Sequence, residues 1–115
     1  MTNTVNASQQ FKRESKSLVK KYHTLKKSIA SLADDLIKNP YLGDAYGSDI
    51  YKIRLADESK GKGKRGGFRV MYYHLKVSDE GVDILLMSIY DKSEKSTIKK
   101  SEALKILKSI LDEYK

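Results

Sequence analysis

The sequence contains no cysteine and no tryptophan. Without cysteine there is no disulfide framework, no thiol nucleophile and no Cys-based zinc site. Histidine occurs only as His23 and His74, with no metal-ligand spacing between them and no recognised nucleophile setting beside either, so both are expected to be structural. The carboxylates form no pair suited to glycoside hydrolysis, and Asp34-Asp35 reads as a solvated helix face. No apolar run approaches the roughly 20 residues that span a bilayer. The opening residues MTNTVNASQQ lack the basic-then-apolar pattern of a signal peptide, and the expectation is a soluble, cytoplasmic protein.

What is abundant is positive charge. The 115 residues carry 23 Lys+Arg against 15 Asp+Glu, a net charge of +8. The surplus is blocked: residues 12–27 hold +6, residues 52–69 hold +5 and residues 95–115 hold +3, while 34–51 and 76–94 are each acidic by three. A basic face of this kind suits a polyanionic partner: nucleic acid, an anionic membrane face or an acidic protein. Within the first block, Lys12, Lys16 and Lys20 form an i, i+4, i+8 stripe that reads as a solvated helix face.

The length suits one domain, residues 1–115. Phe11, Leu18, Val19 and Tyr22 recur at helical spacing behind an N-cap at Ser8. Leu25, Ile29, Leu32, Ala33 and Leu36 repeat the pattern until Pro40, the one proline, which ends the helix at about Asn39. The two form a predicted helical hairpin. Thr4–Ala7 reads as a short edge strand, and PYLGDAYGSD as a turn segment. Residues 50–55, 68–77 and 82–90 read as strands, the last two joined by a tight hairpin at Ser78-Asp79-Glu80-Gly81. Both faces of these strands are partly apolar, which predicts helices on both sides of the sheet. Leu104, Leu107, Leu111 and Tyr114 mark a last helix capped by Thr97 or Ser101. The expected fold is α+β: an antiparallel sheet of about four strands, an N-terminal helical hairpin and a C-terminal helix.

Between the first two long strands lies DESKGKGKRGG, residues 57–67, read as a polar loop outside the core. Its G-x-G-x-x-G match does not leave a strand and open a helix, and it lacks the Gly-Lys-Ser/Thr ending of a P-loop, so neither dinucleotide nor nucleoside triphosphate chemistry is expected. No cofactor is called for. A cluster of cations and aromatics remains. Lys52 and Arg54 alternate onto one face of their strand, Arg69 enters the next, and Tyr90 and Lys92 close the third. If the strands are neighbours, these converge beside Lys60, Lys62, Lys64 and Arg65 of the loop. Such a cluster grips phosphates and stacks on splayed bases, as RNA binding requires.

YKIRLADESKGKGKRGGFRVMYY, followed by ILLMSIYDKSEKSTI, resembles the RelE/ParE superfamily of bacterial toxins, and within it the HigB-like branch. The order of helical hairpin, NPYLGD turn, GKGKRGGFR stretch and last helix follows the family. The resemblance implies a RelE-like fold and the toxin of a type II toxin–antitoxin module, partnered by an antitoxin. It also implies a metal-free, ribosome-dependent endoribonuclease cutting mRNA by attack of a ribose 2′-hydroxyl on the adjacent phosphate. Carried over, Lys52, Arg54, Lys64, Arg69, Lys92 and Tyr90 are the catalytic candidates, with Lys60, Lys62 and Arg65 as RNA contacts. Arginine stays protonated, which assigns Arg54 and Arg69 to charge stabilisation and leaves Lys52 or Lys64 for the base. The alternatives within the resemblance are a ParE-like inhibitor of DNA gyrase and an inactive relative.

Overall fold

The computed structural model describes residues 2–60, 67–94 and 98–113. In chain order the elements are β1 (Thr4–Ala7), α1 (Gln9–Lys21), α2 (Leu25–Lys38), β2 (Asp44–Ala45), β3 (Ile50–Leu55), a 3-10 turn (Glu58–Lys60), β4 (Phe68–Ser78), β5 (Gly81–Asp91) and α3 (Lys100–Glu113). The expected α+β class holds, with a mixed sheet of five strands in the order β1-β5-β4-β3-β2 in place of about four antiparallel ones. Two features make the difference. The strand expected at Thr4–Ala7 is present and runs parallel to β5, from Thr4↔Asp83 to Ala7↔Leu86. It is tied there by the Thr4 hydroxyl on Asp83 (2.7 Å) and by Asn3 Oδ1, which accepts from the Val82 N–H (2.9 Å). The turn segment after Pro40 contributes the two-residue β2, paired with β3 as Asp44↔Lys52 and Ala45↔Tyr51 around a turn in which Gly47, Ser48 and Asp49 have positive φ.

Local chemistry explains most boundaries. Ser8 is the N-cap of α1: its hydroxyl accepts from the Phe11 N–H (3.0 Å) and satisfies one of the orphan donors of the first turn. Asn39 closes α2 through its N–H to Asp35 O (2.9 Å), and Pro40 follows, as expected. The β4–β5 hairpin pairs Ser78 with Gly81 across a two-residue turn. Helix α3 begins at Lys100, which puts Ser101 inside its first turn and not at the cap; Thr97 and Tyr114 lie outside the described residues.

Each face of the sheet has its own core. On one, Phe11, Leu25, Leu32 and Leu36 of α1 and α2 pack on Leu55, Phe68, Val70, Tyr72, Ile84 and Leu86. On the other, Ala103, Leu107 and Ile110 of α3 pack with Ile98 on Ile50, Met71, Leu85, Met87 and Tyr90. Each Leu, Ile, Val, Met or Phe side chain among them adds about 1.5–3 kcal/mol on burial. No helix among the described residues is long and apolar enough to cross a membrane.

The segment read as a polar loop from Asp57 onward is partly structural. Asp57 is buried, and residues 58–60 form the 3-10 turn. The reason is hydrogen bonding. The Asp57 carboxylate accepts from the Thr24 hydroxyl (2.7 Å), the Ser28 hydroxyl (2.5 Å), the Ser59 N–H (3.1 Å) and the Ser59 hydroxyl, stitching the start of the segment to α2.

Candidate active site

Strand register builds the site. In β3–β4, Arg54 lies directly opposite Arg69, and in β4–β5, Arg69 lies directly opposite Tyr90. Opposed residues in antiparallel strands point to the same side with Cβ atoms about 5 Å apart, so the three form one row across three strands. The row lies on the α3 side of the sheet, where Tyr90 packs with Ile98 and Leu107. Lys52 is two residues before Arg54 and shares its face; its ammonium sits 5.1 Å from the centroid of the Tyr46 ring. Tyr46 in turn donates its hydroxyl to Ile98 O (2.5 Å), so the approach to α3 and the Lys52 side chain are held by one tyrosine.

Burial grades the row. Arg54 is exposed, while Arg69 is 5% and Tyr90 8% exposed. Burial pushes the Arg69 guanidinium down from its ordinary value, the Arg54 charge pushes it further, and Tyr90 acts in the opposite sense. Arg69 is still a cation at any working pH. Its Nη1 donates to Phe68 O (3.1 Å), which fixes the fork against the strand. A desolvated guanidinium next to a second one is an electrostatic well for a multiply charged oxyanion, since anion binding relieves both the desolvation and the repulsion.

The remaining predicted residues divide. Lys92 is exposed just past β5, and its N–H donates to Gly67 O (3.3 Å), which holds it beside the start of β4. Lys62, Lys64 and Arg65 lie outside the described residues. Lys60 is not brought to the row: its ammonium reaches Asp91 Oδ2 (2.8 Å) and lies over the rings of Tyr22 (4.8 Å) and Phe68 (5.6 Å), on the α1–α2 side. His74 is structural, as expected. It is buried on β4, its Nε2 is 2.8 Å from Pro40 O, and its ring stacks on Tyr51 (4.3 Å).

Sequence reasoning missed Asp91. It is the last residue of β5 and opposes Phe68, one position from the Arg69–Tyr90 pair. Burial raises its pKa, but the hydrogen bonds from Lys60, Ser93 and Tyr22 outweigh that and hold it down at about 2. A signal was available. Asp57-Glu58-Ser59 and Asp91-Lys92-Ser93 are both Asp-x-Ser, and in both the aspartate accepts from the backbone N–H two residues on. Among the described residues no three His, Cys, Asp or Glu side chains converge as metal ligands.

No family model matches the chain. Among solved structures, the chain is similar to an arginine-to-alanine double mutant of the E. coli toxin RelE in the free state, with a TM-score of 0.57 and 22% identity. The likeness covers 91% of this chain and 97% of that one. At that identity it is the fold that is shared, so the domain has a RelE-like α+β fold along nearly its whole length.

Proposed function

We propose that the protein is the toxin of a type II toxin–antitoxin module, of the HigB-like branch, and that it acts in the cytoplasm as a metal-independent, ribosome-dependent endoribonuclease. The observation that carries this reading is the Arg54–Arg69–Tyr90 row with Lys52 beside it, on a sheet shared with a RelE toxin. Cognate antitoxin and ribosome-bound mRNA are its proposed partners.

The chemistry follows from the side chains. A ribose 2′-oxygen attacks the adjacent phosphorus, a new O2′–P bond forms and the P–O5′ bond breaks, leaving a 2′,3′-cyclic phosphate and a 5′-hydroxyl. The proton leaving the 2′-hydroxyl goes to a lysine, Lys52 or Lys64, because arginines do not accept it. Arg69 and Arg54 neutralise the charge that builds on the phosphorane oxygens. The proton for the departing 5′-oxygen comes from the end of β5, where Tyr90 and Lys92 stand.

The test is in vitro cleavage of mRNA with and without 70S ribosomes, mapping the chemistry of the new ends. Cuts only on ribosome-bound message, leaving 5′-hydroxyl and 2′,3′-cyclic phosphate ends, are expected. In cells, labelled methionine incorporation should fall before thymidine incorporation. Early loss of thymidine incorporation with gyrase-linked DNA breaks and intact mRNA would replace this reading by gyrase inhibition.

A further inference from the structure

One side chain, Tyr46, joins the turn between β2 and β3 both to Lys52 and to the start of α3. The turn makes this possible. Gly47, Ser48 and Asp49 all have positive φ, and the chain reverses tightly enough for the Tyr46 N–H to donate to Ile50 O (2.7 Å) and the Ile50 N–H to Gly47 O (3.0 Å). The register Asp44↔Lys52, Ala45↔Tyr51 thereby continues by one step, with Tyr46 opposite Ile50. Ile50 is buried in the core on the α3 side, so Tyr46 shares that face and is the diagonal neighbour of Lys52. An aromatic ring and a long side chain can bridge that spacing. The Lys52 ammonium does so, lying over the ring 5.1 Å from its centroid.

The ring is itself fixed. Its hydroxyl donates to Ile98 O (2.5 Å), and its body packs against the core beneath α3. Lys100, the first residue of α3, brings its ammonium over the same turn, where a methyl on Gly47 would meet it at 2.7 Å. Lys52, by contrast, is tied to no carboxylate. The ion pairs among the described residues are Lys21–Glu94 and Lys60–Asp91, and Asp44, directly opposite Lys52, does not join it. The difference matters chemically. A carboxylate would neutralise the lysine and occupy its N–H donors, whereas a ring face attracts the charge and leaves them available.

We propose that Tyr46 is a positioning residue for Lys52: its ring seats the ammonium beside Arg54, in one orientation and clear of any competing carboxylate, and acts on the cleavage step through Lys52. Its catalytic meaning rests on the ribonuclease reading above. A lysine stem without a seat samples many rotamers, and that freedom has to be given up when the 2′-oxygen and the phosphorus are brought together. The ring removes it before substrate arrives. Because orientation is needed at the reacting atoms, loss of the seat should fall on the rate of the bound complex and not on its formation.

The test takes ring, hydroxyl and lysine apart. Single-turnover cleavage of ribosome-bound mRNA is measured for wild type, Tyr46→Phe, Tyr46→Leu, Lys52→Met and the double variant Tyr46→Leu with Lys52→Met, and melting temperatures check that each folds. Tyr46→Leu should lower the maximal rate about tenfold and change the half-saturating concentration less than about twofold. Tyr46→Phe keeps the ring, loses the bond to Ile98 O, and should stay within about threefold of wild type. In the Lys52→Met background, Tyr46→Leu should cost less than about a further twofold, because the seat has nothing left to hold. The same loss from Tyr46→Leu in both backgrounds, or equal losses in the Phe and Leu variants, would overturn the proposal and make Tyr46 a strap for α3 alone. The seat is also read without substrate, by NMR of the lysine side chains. The ε-methylene protons of Lys52 should be moved upfield by the ring current in wild type and Tyr46→Phe, and return to the ordinary lysine position in Tyr46→Leu. An upfield shift in a wild-type protein that cuts no RNA upholds the seat and overturns the ribonuclease reading. Cutting without any such shift does the reverse.

Discussion

The ammonium of Lys60 stands 2.8 Å from Oδ2 of Asp91, joining the residue before the glycine-rich segment to the last residue of β5. The other carboxylate oxygen of Asp91 accepts from the Ser93 N–H (2.9 Å) and hydroxyl (2.8 Å), and the Tyr22 hydroxyl adds a bond to Oδ2 (3.0 Å). Every lone-pair direction of a buried carboxylate is thereby used, and the strand ends that carry Arg69 and Tyr90 are held at their bases.

The pH dependence of stability follows. With its folded pKa depressed to about 2 from 3.8, Asp91 stabilises the fold above its unfolded value, and that contribution is lost as pH falls from about 4 toward 2. The shift corresponds to about 2 kcal/mol. Melting temperatures of wild type and Asp91→Asn should therefore differ most at neutral pH and converge near pH 2. A constant gap across that range would mean that the carboxylate charge contributes nothing. Lys60→Met, which leaves the carboxylate without its ammonium, should cost about 3 kcal/mol at pH 7.

Arg69 carries the opposite expectation. Burial and the neighbouring Arg54 both disfavour its charge in the folded protein, so the residue is kept against a stability cost. Arg69→Met, apolar and of similar length, should leave the melting temperature unchanged or raise it while lowering the cleavage rate about a hundredfold or more. Arg69→Lys should recover little, since an ammonium does not reproduce the planar fork. A marked loss of stability in Arg69→Met would make the guanidinium structural, and near wild-type cutting would remove it from the site.

Periodicity reached the helices and long strands because their apolar spacing is set by the same burial that stabilises them: Leu25, Leu32 and Leu36 on α2, and the two-faced apolar pattern of β4 and β5. It reached Lys52, Arg54, Arg69 and Tyr90 as one face because strand alternation needs only a register, which the row supplies. The parallel pairing of β1 was not legible. It depends on side-chain bonds from Asn3 and Thr4 to residues 79 positions away. The two-residue β2 carries no period at all. The place of Lys60 was not legible, because charge in a glycine-rich run looks solvent-bound in one dimension. Only the fold brings Asp91 to it, across 31 residues.

Asp57 should be the second acid-sensitive point. Burial raises its pKa, but the bonds from Ser28, Ser59 and Thr24 outweigh that and lower it, so its stabilisation also fades as pH falls below the unfolded carboxylate value. Asp57→Ala strips the acceptor from three hydroxyls at once and should cost about 2–3 kcal/mol; Ser28→Ala removes one bond and should cost about 1. In a double-mutant cycle the two losses should be less than additive. Strict additivity in chemical denaturation would show that the Ser28–Asp57 contact has no energetic content.

Two glycines test where stability and activity part. A methyl on Gly67 would lie 2.3 Å from Leu55 O, backbone against backbone, where β3 and β4 start to run together one position from the Arg54↔Arg69 pair. A methyl on Gly81 would lie 2.0 Å from Thr2 O at the hairpin turn, where φ is also +140°, so alanine is strained there twice over. Both alanine variants should lose about 2 kcal/mol or more, because the neighbour in each case is main chain and cannot swing aside. Their catalytic effects should differ. Gly81→Ala, at the opposite end of β4 and β5 from the row, should cut RNA at the wild-type rate per folded molecule. Gly67→Ala forces β3 and β4 apart beside the row and should lose rate per folded molecule as well. Equal specific rates for the two, measured at a temperature where both are folded, would show that the site tolerates a shift in strand spacing. The row's fixed register would then not be what supports catalysis.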